Sequence, residues 1–110
     1  MEKRCLNLAK ETGELYNEGL YNHNLGNSYH SLGDFQKALE FYQKSLKIRR
    51  KINDKKHLAL NLSAIGSVYK ENRNYKKAIN LKKEGLEIAQ KSGDVEIQAQ
   101  ISYDLYEIYE

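Results

Sequence analysis

The sequence predicts an all-α fold of about six helices, joined into antiparallel hairpins that stack side by side as an α-solenoid. Three observations carry this expectation. A skeleton of apolar, Gly, Tyr, aromatic, Ala and Leu positions recurs at a period of 40 residues, and fixed periods of that order mark arrays of helical hairpins. Turn residues fall at the same phase in each period. No stretch alternates apolar and polar residues as a half-buried strand does, and the chain has no proline to interrupt a helix.

The two full copies are LGNSYHSLGDFQKALEFYQKSL (25–46) and IGSVYKENRNYKKAINLKKEGL (65–86). A step of 40 sets Leu25 over Ile65 and Leu105, and Tyr29 over Tyr69 and Tyr109. It also sets Gly26 over Gly66, Phe35 over Tyr75, Ala38 over Ala78 and Leu46 over Leu86, while Leu6 and Leu8 share the phase of Leu46 and Ile48. The expected helices are about 2–12, 15–32, 35–52, 55–72, 75–92 and 95–110.

The first helix is closed by Gly13, which shares its phase with Asn53 and Gly93; each is followed by an acid, Glu14, Asp54 or Asp94. Gly and Asn enter the left-handed conformation cheaply and so end helices, and an acid beyond them favours the next N-terminus. The second and fourth helices end at Leu32-Gly33-Asp34-Phe35 and Asn72-Arg73-Asn74-Tyr75, with Asp34 and Asn74 as N-caps. Within each hairpin, Leu25, Gly26, Tyr29 and Leu32 form one helical stripe. Gly26 and Gly66 lie mid-helix, where Gly costs about 1 kcal/mol relative to Ala; the return is close approach of the next helix, with Ala38, Ser45 and Leu46 as the answering stripe.

These residues resemble the tetratricopeptide repeat: Leu25-Gly26, Tyr29, Gly33-Asp34-Phe35, Ala38, Tyr42 and Leu46 in one copy, and Ile65-Gly66, Tyr69, Asn74-Tyr75, Ala78 and Leu86 in the next. The resemblance implies a right-handed superhelix. The period of 40, without a closing proline, is similar to the long-helix subclass of polarity scaffolds, kinesin light chains and bacterial signalling proteins. Asn22, Leu62 and Ser102 stand at the family's tryptophan position, Lys82 at an aromatic position, and Tyr106 at the small-residue position of Gly26 and Gly66. The expected division is 1–13 as the second helix of a truncated repeat, 14–53 and 54–93 as repeats, and 94–110 as the first helix of another. The chain then reads as a segment of a longer array, able to self-associate through its uncapped terminal helices.

The composition excludes several functions. The formal charge of +3 is weak, and its densest cluster is Lys47, Arg49, Arg50, Lys51, Lys55 and Lys56; a nucleic-acid domain is expected to be more strongly basic on one face. No apolar run approaches the roughly 18 residues that span a bilayer. Cys5 builds neither a disulfide nor a thiolate metal site and reads as a small packed side chain. His23 and His30 lie about 10.5 Å apart along one helix, too far for one metal with bonds near 2 Å. Glu14 and Glu18 read as a solvated pair. Neither a catalytic residue nor a cofactor or metal site is expected, so the chain is not read as an enzyme.

A solenoid leaves a curved inner wall made by its first helices. On the stripe not used within the hairpins lie Leu20, His23, Asn27 and His30, then Leu60, Ser63, Ser67 and Lys70, then Gln100, Tyr103 and Glu107. The resemblance implies that this groove binds a peptide, with Asn27 bonding its backbone. The chaperone-tail version of the groove, which clamps a terminal carboxylate, is not expected, because its second-repeat Asn is Ala64 here and the wall is mixed in charge. The leading expectation is a protein-interaction module in a larger bacterial signalling or regulatory protein, cytoplasmic, with a periplasmic sensor as the other compartment considered. The alternatives are a structural spacer or self-association unit and, third, a nucleic-acid-binding segment.

Overall fold

The computed structural model describes the backbone of residues 2–109 and the side chains of residues 11–108. Among the described residues five helices follow one another: α1 (Glu2–Ser31), α2 (Phe35–Lys51), α3 (Lys55–Glu71), α4 (Tyr75–Ser92) and α5 (Val95–Tyr109). Among the described residues there is no strand, and no helix is long and apolar enough to cross a membrane. α1 pairs with α2 and α3 with α4; α2 lies against α3, α4 against α5, and α3 also touches α5. The body measures 55 × 31 × 17 Å, the proportions of hairpins laid in a row.

The turns share one chemistry. In each, one residue enters the left-handed region: Gly33 (φ 82°), Asn53 (57°), Arg73 (64°) or Gly93 (75°). The next residue caps the following helix. Side-chain oxygens of Asp34, Asp54, Asn74 and Asp94 accept from the backbone N–H groups of Lys37, His57, Lys77 and Ile97 at 3.2–3.4 Å. Each cap is worth about 1 kcal/mol. Arg73 takes the left-handed position with a Cβ present, at a cost of roughly 1 kcal/mol.

The fold departs from expectation at Gly13. The helices expected at 2–12 and 15–32 are one helix, α1, of 30 residues. Two causes act together. The residue after Gly13 is Glu14, whose longer side chain is not among the preferred N-caps, whereas every turn that forms has Asp or Asn there. Nothing lies within 4 Å of where a Cβ on Gly13 would be, so no packing demands a return of the chain. Without proline, the helical hydrogen-bond ladder runs through. The expectations for Cys5, Leu6 and Leu8 concern side chains outside the described residues.

Among the described residues the core forms two contiguous clusters. Ala38, Tyr42, Leu46, Leu62, Ile65 and Val68 make the first; Ala59, Ala89, Ile97, Ile101 and Leu105 make the second. The repeat phase is visible in the packing. Lys37 lies 5.3 Å above the Tyr29 ring and Lys77 lies 4.7 Å above the Tyr69 ring, the same pair one layer on. The side chain of Tyr109, third in that series, is outside the described residues. Gly26 meets Tyr42, the largest residue facing it, rather than the small residues of the expected stripe. Ser45 instead sits one turn away and donates to the Gly19 carbonyl at 2.6 Å.

Candidate functional site

α1, α3 and α5 form one wall of the stack, and α2 and α4 stand behind it. Between each pair of front helices runs a crevice, and each crevice is filled from behind by a cation. Arg49, on α2, is 3% exposed. Its Nη1 donates to Asn61 Oδ1, to the His57 carbonyl at 3.2 Å and to His23 Nδ1 at 3.2 Å, so it ties α1 to α3. Asn61 in turn donates to the Tyr42 carbonyl at 3.1 Å. Lys82, on α4, is 1% exposed. Its ammonium donates to the Ser63 carbonyl (3.1 Å), Ser63 Oγ (3.2 Å), Ser67 Oγ (3.0 Å) and Asp104 Oδ2 (3.2 Å), tying α3 to α5.

Burial sets the electrostatics of both crevices. It lowers the Lys82 pKa, while the carboxylate of Asp104 opposes that shift. Burial also lowers that of Arg49, with Asp54 acting the other way. His23 is pushed down to about 4, first by burial and then by Arg49. It is therefore neutral, and since a guanidinium only donates, Nδ1 is the acceptor and the proton is on Nε2. Tyr42 is pushed up to about 12 by burial and by Glu71.

The residues expected to line the wall separate into three groups. Ser63, Ser67 and Lys70 on α3 meet α5: the serines through Lys82, and Lys70 through Glu107 at 3.8 Å. Tyr103 hydrogen-bonds Glu107, which raises its phenol pKa, and is 63% exposed. On α1, His30 pairs with Glu71 of α3 at 3.0 Å, and Asn27, exposed, accepts from Tyr42 Oη. The third group stands apart. His23 turns into the hairpin, 5.2 Å from the Tyr42 ring, and Leu20 and Gln100 are exposed.

Against this geometry the comparisons are direct. The tetratricopeptide repeat pattern matches residues 16–91, more than half of the chain. The chain belongs to the tetratricopeptide repeat family. No curated protein matches it. Tetratricopeptide repeats are non-catalytic modules that mediate protein–protein interaction, and the helical hairpin stack seen here is theirs.

The features of this tetratricopeptide array that sequence reading missed lie behind the wall. Arg49 was read with the basic cluster around the α2–α3 turn, but it is buried. Of its neighbours in that cluster, Arg50 pairs with Glu84 at 3.6 Å and Lys56 with Asp94 at 4.0 Å, which disperses the cluster. Lys82 was visible as a cation in an aromatic's place. Its reach to Ser63 and Ser67 was not.

His23 supplies a test of this arrangement. Its folded pKa, about 4, lies below the ordinary value of 6.5, so the fold binds the neutral ring. The stabilisation is complete above about pH 6.5 and is lost as pH falls toward 4, to a total of up to about 3 kcal/mol. Urea unfolding of the wild type and of His23→Gln at pH 7.5, 5.5 and 4.5 measures it. The wild type is expected to lose more stability than the variant over that range. Parallel losses would mean that His23 titrates normally in the fold.

Proposed function

We propose that the chain binds an extended peptide or a protein segment along the concave wall of α1, α3 and α5, as part of a larger bacterial signalling or regulatory protein. The observation that supports the site is the polar outer surface of that wall. Asn27, exposed, and Ser67, half-buried, are each anchored by a donor from behind, so they keep fixed positions instead of ranging through solvent, while Ser63 is buried beneath them. Pre-set polar groups lower the ordering cost of binding. Asn27, with donor and acceptor on one side chain, suits a main-chain amide.

The test uses a peptide selected by display on the wild-type chain. Asn27→Ala combined with Tyr103→Ala is expected to weaken its binding about tenfold or more, as loss of one anchor and one large contact residue implies. Unaltered affinity would move the ligand to another face. The spacer reading draws on Val95 and Tyr106 of α5, both largely exposed. It predicts a concentration-dependent rise in mass that competes with no peptide.

A further inference from the structure

We propose that the stretch of α1 from Tyr16 to His23 is an acid-released strap: a proton taken up by His23 sets a second cation against Arg49, and this stretch lifts from α2 and α3 while the rest of the stack stays closed. The strap needs no ligand on the wall.

The chain has three histidines, and all three stand where the first hairpin meets α3. They divide by the charge they face. His30, on α1, pairs with Glu71 of α3 at 3.0 Å, and His57, at the start of α3, pairs with Asp54 at 2.8 Å. A proton on either completes an ion pair. His23 lies between them and faces the reverse. From α2 come the Arg49 guanidinium at 3.2 Å and the Tyr42 ring at 5.2 Å; from α3 come Asn61 and His57. The carboxylates of this junction, Asp54 and Glu71, are engaged by the other two imidazoles. The junction of α3 with α5 is held by Lys82 with Asp104 and Lys70 with Glu107. It contains no imidazole, the side chain whose ordinary titration falls between about pH 5 and 8.

Tyr16, Gly19 and His23 share one face of α1, at spacings of three and four, and each rests on this junction. The Tyr16 ring meets the His57 ring edge-on, with centroids 5.5 Å apart. Gly19 lies against the Arg49 stem, whose Cγ is 3.5 Å from where a Cβ would be, and its carbonyl accepts from the fully buried Ser45. His23 Nδ1 accepts from Arg49. A protonated imidazole has two donors and no acceptor, and a guanidinium only donates. Protonation therefore turns that bond into two cations 3.2 Å apart, in a buried site that water screens poorly. Arg49 keeps its other partners, Asn61 and the His57 carbonyl, and both belong to α3. The side that lets go is α1. Beyond His23 the helix stays docked, because Gly26 packs on Tyr42 and His30 holds Glu71.

The experiment reads exposure beneath the strap. In a Cys5→Ser background, one thiol is placed by Ser45→Cys, under the strap, or by Ala89→Cys, in the second core cluster. Labelling by 4,4′-dithiodipyridine, divided by the rate for the urea-unfolded chain at the same pH, gives the open population. At position 45 it is expected to rise roughly 50-fold from pH 7.5 to 4.5, the linkage that a fall from 6.5 to about 4 provides, and at position 89 by less than about threefold. His23→Gln, shown to be folded by circular dichroism, should hold the rise at position 45 below about threefold, and His30→Gln should leave it in place. Equal rises at the two positions would mean that the whole chain unfolds, and a rise unchanged in His23→Gln that another group is the sensor. Either result overturns the strap, as does a flat response. Amide exchange of the unsubstituted chain gives a second reading that needs no thiol. Corrected for intrinsic rates, it should accelerate over residues 16–23 and not over 75–92, since a detached turn of helix frays; equal behaviour of the two stretches counts against the strap.

Discussion

Replacing Gly26 by Ala is expected to lower the melting temperature by roughly 8–16 °C. A Cβ built on Gly26 falls 2.5 Å from Cδ1, 2.7 Å from Cε1 and 2.9 Å from Cγ of Tyr42, against one edge of a ring that is 1% exposed. The ring has no room to retreat, because the phenol is held by Asn27 and the core closes around it. Overpacking of a well-filled site costs about 1–3 kcal/mol or more, and the clash here lies at the severe end. The intrinsic helical gain of Ala over Gly, about 1 kcal/mol, offsets only part. At 4–8 °C per kcal/mol for a domain of this size the stated range follows. Gly13→Ala is the control: it is helical, with nothing within 4 Å, so the same substitution should stabilise slightly. Combining Gly26→Ala with Tyr42→Leu should recover part of the loss. If the melting temperature of Gly26→Ala matches that of the wild type, the close contact of α1 with α2 is not as described.

The second large effect is expected at Lys82. Lys82→Ala should cost about 3–5 kcal/mol in urea unfolding, because it strips a buried cation from Asp104 and two serines and empties the space its stem fills. Lys82→Met keeps most of the stem and removes the charge. Buried ion pairs are often replaced by apolar residues at little cost, and Asp104, part-exposed, can turn to water, so a loss near 1 kcal/mol is expected. The comparison apportions the residue between packing and charge. An alanine variant within 1 kcal/mol of the wild type would show that α4 and α5 are held by the apolar cluster of Ile97, Ile101 and Leu105 alone.

The helical hairpins and their phase were legible because their causes are local. Left-handed Gly and Asn followed by an Asp or Asn cap is a signal of two adjacent residues, and it marked the turns at Gly33, Asn53 and Gly93. Gly13 carried half of that signal. Its failure shows that the cap matters as much as the glycine: Glu14 is one methylene too long to do what Asp34, Asp54 and Asp94 do. The stripe on the first helices follows from helical periodicity, which sets side-chain direction. What the stripe could not show is that His23 turns inward, drawn by Arg49 and the Tyr42 ring. That contact joins residues 26 apart in sequence, and nothing in helical spacing reports which long side chain passes between two helices. For the same reason Arg49 looked like part of a surface cluster.

The two crevices also bear on how such an array could be rebuilt by duplication or recombination. Its turns are interchangeable parts, alike in shape and capping, and would tolerate a copied hairpin at any of them. The junctions are not. A guanidinium that needs His23, Asn61 and the His57 carbonyl finds none of them beside α5, and an ammonium that needs two serines and Asp104 finds none beside α1. Shuffled copies would leave a cation stranded in every mismatched seam, so the order of the layers is written as a lock-and-key code while their form is generic.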